Sequence, residues 1–178
     1  MTACALALAL AAAPAAPAAP RPFACPAGAE RHGAAPPEAF EEWCEAKDPA
    51  GGPSRREGPS RAYYDDGALW IEASWRAGQR HGPFVEWHRN GVKAREGTFT
   101  EGRRSGRWTT WWQSGRVEEE AEWRDGVAHG RFVSYWPTGQ RRTEGRRCGG
   151  AQCGRWRTWD DAGRELGAVD YGEQTLAP

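Results

Sequence analysis

The chain is short of the residues from which most globular cores are built. Beyond its first twenty residues Leu, Ile and Val are sparse, and Met stands only at position 1. No run of apolar residues is long enough to cross a bilayer as a helix. With so little aliphatic surface to bury, a thick two-layer core is excluded. Net charge is missing too, since 24 basic and 24 acidic residues cancel. Nucleic-acid binders need a basic patch or stripe, so no such partner is expected. Lys occurs only at 47 and 93, leaving Arg to carry almost all the positive charge. The motifs G-x-S-x-G, H-E-x-x-H and C-x-x-C are absent, as is any glycine loop that would cradle a phosphate. The chain therefore reads as non-enzymatic, with no catalytic residue, no metal ligand set and no cofactor.

What the chain has instead is Trp, 11 of them, and Gly, 23 of them. Aromatic rings bring large apolar areas with preferred edge or offset contacts. Glycine recurs at 58, 82, 106, 130 and 154, a constant step of 24 residues. Further glycines follow in phase at 67, 91, 115, 139 and 163, and at 78, 102, 126 and 150. The aromatics keep step, with Phe84, Trp108, Phe132 and Trp156 in one column and Tyr63, Trp87, Trp111, Tyr135 and Trp159 in another. Trp75, Phe99, Trp123 and Tyr171 form a third column, which Arg147 interrupts. Glu72, Glu96, Glu120 and Glu144 form a carboxylate column, expected to pair with Arg or stay solvated. Self-similarity at a fixed period is the mark of a repeat architecture.

Each unit reads as strand, turn, strand, turn. Asp66-Gly67, Asn90-Gly91, Glu101-Gly102 and Asp125-Gly126 suit turn positions that need positive φ. The segments between turns are of strand length and too short for helices. The expected fold is all-β: an elongated, single-layer antiparallel meander of tandem hairpins. The repeats divide as 58–81, 82–105, 106–129, 130–153 and 154–178. About ten strands would span roughly 45 Å. Folding back across the second turn of each unit should set Trp75 near Phe84, Phe99 near Trp108 and Trp123 near Phe132. Such cross-strand pairs are worth roughly 0.2–1 kcal/mol each. His81 and His129 share one repeat position, just before a glycine, and read as turn residues.

Two segments lie outside the repeats. Residues 1–20 carry no charged side chain and run from Ala/Leu into Ala-Pro, like a secretory signal peptide without its basic start. A disordered Ala/Pro tail is the bland alternative. Pro22-Phe23-Ala24-Cys25 is a poor lipoprotein box, so lipid anchoring is the less favoured form of export. Removal of this segment takes Cys4 with it and leaves Cys25, Cys44, Cys148 and Cys153, an even set that suits disulfides in an oxidising compartment. Of the three connectivities, Cys25–Cys44 with Cys148–Cys153 is preferred, because the second pair brackets a short Gly-Gly-Ala-Gln loop. Residues 21–57 form a disulfide-containing N-terminal cap and linker, the linker being 48–59. Within the cap, 36–44 is either a short helix or a strand covering the sheet edge. At Arg147, the two cysteines would staple the weakened unit, and the guanidinium would lie on a neighbouring ring.

Glu96-Gly97-Thr98-Phe99-Thr100-Glu101-Gly102 through Gly106-Arg107-Trp108 resembles the MORN (membrane occupation and recognition nexus) repeat. The further Trp111 and Gly115 look like the bacterial variant form. The resemblance covers residues 58 to about 172. It implies an extended meander of hairpins and brings no catalytic residues. Bacterial relatives are often labelled antitoxin components of toxin–antitoxin systems, and eukaryotic ones scaffolds or membrane-proximal modules.

One column is a candidate binding surface. Tyr64, His88, Trp112 and Trp136 each follow a strand aromatic, and Asp160 takes that place in the last unit. Adjacent strand residues face opposite sides, so these four should line the face away from Trp87, Trp111 and Tyr135, partly wet. Ring stacking that merely stiffens the sheet is the alternative. The favoured function is an exported protein-binding or scaffolding module. Its rivals are a cytosolic, antitoxin-type partner of a toxin and an envelope polysaccharide-binding protein.

Overall fold

The computed structural model describes residues 22–172. The signal-like segment 1–20 and Cys4 lie outside the described residues. The rest is a single antiparallel sheet in strict meander order, β1 to β12, open at both ends. The strands are β1 (Ala29–Ala34), β2 (Glu41–Ala46), β3 (Arg55–Tyr63), β4 (Leu69–Arg76), β5 (Gln79–Trp87) and β6 (Lys93–Thr100). They continue as β7 (Arg103–Trp111), β8 (Val117–Arg124), β9 (Val127–Tyr135), β10 (Arg141–Cys148), β11 (Ala151–Trp159) and β12 (Glu165–Asp170). The expected all-β hairpin meander is the observed fold, with twelve strands in place of ten. At ~4.8 Å per strand it extends about 53 Å. The additional pair comes from the segment before the repeats. There the strand alternative holds and the helix alternative fails, because residues 41–46 are β2. The linker reading of 48–59 also needs correction, since β3 already begins at Arg55 and pairs with β2.

Two kinds of turn alternate. The shorter ones place two residues between strands, both at positive φ, as at Ala77 (49°) and Gly78 (80°) or Glu101 (50°) and Gly102 (76°). This is the geometry that matches strand twist in a two-residue hairpin. In the longer turns only glycine is left-handed. Gly67 N–H donates to the Tyr64 carbonyl and Tyr64 N–H to that of Ala68, closing a three-residue loop.

The 58-to-154 glycine column lies within strands, not at their start. Between β4 and β5 the pairing jumps from Ala73↔Phe84 to Trp75↔Arg80, so three residues around Gly82 face one. The same bulge recurs in the next hairpins. His81 and His129 consequently sit inside β5 and β9, not in turns. The bulge sets an arginine or alanine, not a ring, directly opposite each of Trp75, Phe99 and Trp123. Phe99 and Trp108 do meet edge-on at 5.0 Å. Trp75 and Trp123, however, stand opposite Arg80 and Ala128 instead of Phe84 and Phe132.

A one-layer sheet has few ways to bury a ring, and this one uses two. The first is a small residue beneath it. Trp108 and Trp156 cover Gly97 and Gly145, where an added Cβ would overlap the indole. At the equivalent places Ala73 and Ala121 stand beside the smaller rings of Phe84 and Phe132. The second is an arginine above it. The Arg80 guanidinium lies 5.2 Å from the Phe84 ring and 5.5 Å from that of Phe99. Arg104 lies 4.5 Å from Trp108 and 4.7 Å from Trp123. Phe84 and Trp108 are left only 5% and 4% exposed. Arg147 behaves as expected, 5.0 Å from both Phe132 and Trp156.

The two ring sizes alternate, so the true period is a pair of units. His81-Gly82, Phe84-Val85 and Gly97 return as His129-Gly130, Phe132-Val133 and Gly145, while Gly106-Arg107-Trp108 returns as Gly154-Arg155-Trp156.

The cysteines form the two preferred pairs, Cys25–Cys44 and Cys148–Cys153, with Cα atoms 5.5 and 5.8 Å apart. The first fastens the chain before β1 onto β2, and the second closes the β10–β11 hairpin.

Candidate binding surface

Of the five longer turns on one margin of the sheet, Asp160 opens the fifth, and Tyr64, His88, Trp112 and Trp136 open the other four. Each backbone N–H closes its own loop, bonding to the carbonyl of Ala68, Val92, Arg116 or Gln140. The side chains reach forward by one repeat. Tyr64 donates its hydroxyl to the Trp87 carbonyl (2.8 Å), and Trp136 its indole N–H to the Trp159 carbonyl (3.0 Å). His88 Nε2 lies 2.9 Å from the Trp111 carbonyl oxygen. Trp112 breaks the series, for its Nε1 is buried without a partner. Asn90 adds a bond to the Gln113 carbonyl (2.8 Å), and Arg116 one to that of Pro137 (2.8 Å). Arg89 and Arg142 lie 4.7 Å from the Tyr64 and Trp136 rings. All four side chains are half-buried. The column is thus partly wet, as its sequence implies, but its polar atoms chiefly join one repeat to the next. The alternation of side chains puts the column on one strand face. The reach to the next repeat spans 23 residues and leaves no signal in local sequence.

The opposite face carries the carboxylates. Across the strands runs one row: Glu72, Val85, Glu96, Thr109, Glu120, Val133, Glu144, Arg157, Ala168. Arg61 pairs with Glu72 (2.7 Å), Lys93 with Glu96 (2.8 Å), Arg107 with Glu120, and Arg131 with Glu144 (2.9 Å). Pairing is therefore the rule along this column. Exposed pairs of this kind add little stability individually, but they neutralise the face. At the β1 end, Tyr63 donates its hydroxyl to Glu42 (2.6 Å), which is almost fully buried. Burial, and then this bond, push the Tyr63 hydroxyl up to about 12.

On the ring face, burial raises the Glu119 carboxyl above its ordinary value, with the Glu118 charge adding to it and Arg147 and Arg104 opposing. Burial lowers Arg104, and the neighbouring Arg95 charge lowers it further. This is a packed network of charge over rings, without an acid–base pair aimed into a cleft. Among the described residues no group of three or more His, Cys, Asp or Glu could hold a metal ion. No helix of the described chain is long and apolar enough to cross a membrane.

The carboxylate face changes character at its C-terminal end. Arg131, Arg146, Arg155 and Arg157 line a shallow cavity of about 530 Å³ with Glu122 and Glu144. The Glu column is legible in the sequence, and Ala168 in the next Glu position is the signal that marks its end. Compared with known families and with curated proteins, the chain matches no family model and no curated sequence.

Proposed function

We propose that this chain is an exported, non-enzymatic module that binds or scaffolds another protein. The observation that carries the reading is the open, elongated sheet, in which the turn-opening side chains of Tyr64, His88 and Trp136 join repeat to repeat. Such a body offers a long, stiff surface with two exposed edges, which suits assembly better than chemistry. Two cysteine pairs at bonding distance support an oxidising, extracytoplasmic location. They weigh against the cytosolic, antitoxin-type reading that the MORN-like repeat pattern brings. An envelope glycan is also less favoured than a protein, because the Trp136 N–H it would use is already bonded to Trp159.

Cell fractionation with N-terminal sequencing tests location. The expected mature protein lacks residues 1–20, lies outside the cytoplasm and has no free thiol; a cytosolic protein with a full N-terminus would overturn the proposal. Crosslinked pull-down from the cell envelope tests the partner class. A protein partner is expected, and retention by cell-wall glycan alone would replace it.

A further inference from the structure

We infer that β12 and the arginines beside it form a docking edge for an extended, acidic segment of the partner protein. The inference rests on the binding-module reading above.

The argument begins with a mismatch in the repeat. In two successive units an arginine on one strand meets a glutamate on the next: Arg107 meets Glu120, and Arg131 meets Glu144. One unit further on the arginine is kept, as Arg155, but the glutamate position holds Ala168. Arg157 stands in the row place held by Thr109 and Val133, and Arg146 in the place of Glu122. Toward this end of the sheet Glu122 is thus followed by Arg146, Glu144 by Ala168 and Val133 by Arg157, and a carboxylate returns at Asp170, opposite Arg155. Among the described residues, Arg146, Arg155 and Arg157 have no carboxylate within ion-pair distance. They converge on one cavity in which the single arginine already neutralised is Arg131. Arginine offers a planar fork that grips a carboxylate with two bonds. The methyl group of Ala168 leaves space above β12 for such a carboxylate to approach.

The strand beside them supplies the second half of the site. Among the described residues β12 pairs only with β11, and every residue in it is exposed. Leu166 and Val169 are 68% and 55% exposed, with Tyr171 just beyond at 46%. β12 is charged only at its ends, Glu165 and Asp170, and the stretch Leu166-Gly167-Ala168-Val169 between them has none of the charged residues or Pro that commonly guard an edge. β1, at the other end, carries Glu30, Arg31 and His32 and no large exposed apolar side chain. An added strand would pair its backbone with β12, set apolar residues beside Val169 and aim carboxylates at the arginines. Free strand backbone suits a peptide, and a polysaccharide cannot use it in register.

The test uses the full chain and a short blocked peptide of alternating Val and Glu, with calorimetric titration. The peptide should bind, its Val-Lys counterpart should not, and rising salt should weaken the complex. Arg155→Gln with Arg157→Gln should reduce affinity at least about tenfold. N-methylation of alternate peptide residues should abolish binding in one phase and spare it in the other, a contrast that needs no altered protein. Unchanged affinity in the double variant would overturn the inference, as would equal binding of both N-methylated phases. Binding of polygalacturonate in place of the peptide would do so as well, assigning the cavity to a glycan. If the double variant still captures the same envelope protein, this edge is excluded while the binding-module reading stands.

Discussion

At the scale of single residues, the fold depends on fitting a ring to the backbone beneath it. Gly97 lies under Trp108, so Gly97→Ala should cost about 1–3 kcal/mol by overpacking. Trp108→Phe in the same molecule should recover at least about 1 kcal/mol of that loss, because Phe beside Ala is the arrangement of the neighbouring units. Urea titrations of the two single variants and the double check this; strict additivity would refute the size rule. The two turn-opening tryptophans make a second contrast. Trp136→Phe removes a bond to the Trp159 carbonyl and should cost about 1 kcal/mol, whereas Trp112→Phe removes a buried, unbonded N–H and should cost less or stabilise. Tyr63 gives a pH signature. Its folded value of about 12 lies above that of an unfolded tyrosine, so its contribution is intact below about pH 10 and is lost as pH rises toward 12. Alkaline titration of tyrosinate absorbance should show the last step vanish in Tyr63→Phe. The glycine and ring columns were legible in sequence, but not that Gly97 and Trp108 touch, since that depends on the register set by the bulge.

At the scale of elements, hairpins and turns were largely legible and the bulges were not. A turn announces itself through Asp-Gly or Asn-Gly between strand-like runs, as at Asp125-Gly126 and Asn90-Gly91. A glycine inside a strand has the same spacing signature as one before it, so spacing alone does not show that Gly82 and Gly130 sit in bulges at positive φ. Residues 36–44 are ambiguous in sequence for a related reason, because one short amphipathic segment satisfies a helix or a strand until its neighbour is known. The partner strand β3 decides the matter. The Cys148–Cys153 bond belongs to this scale as well. It closes the hairpin in which Arg147 replaces an aromatic, over a sequence separation of five. Replacing both cysteines with serine should lower stability by roughly 2 kcal/mol for so short a loop. A melting temperature unchanged in calorimetry would show that the β10–β11 pairing stands without the staple.

At the scale of the whole molecule, the sheet has no second layer among the described residues, and each hairpin is held chiefly by its neighbours. The four candidate residues Tyr64, His88, Trp112 and Trp136 were legible as a column, but their joining role was not, because each partner lies one repeat away. The arginine cavity was hidden for the opposite reason, since it arises where the column stops. The alternation of Phe-type and Trp-type units has a consequence for how such a chain is lengthened or shortened. Excising 82–105 would bring Ala73 against Trp108, whose indole natively lies over a glycine, Gly97, on the strand before it. Excising 82–129 instead brings Ala73 against Phe132, restoring a junction of the native kind. The longer excision should therefore give the better-folded protein by thermal melt, against the ordinary expectation that removing more harms more. The chain obeys a grammar in which hairpins are added or dropped in twos.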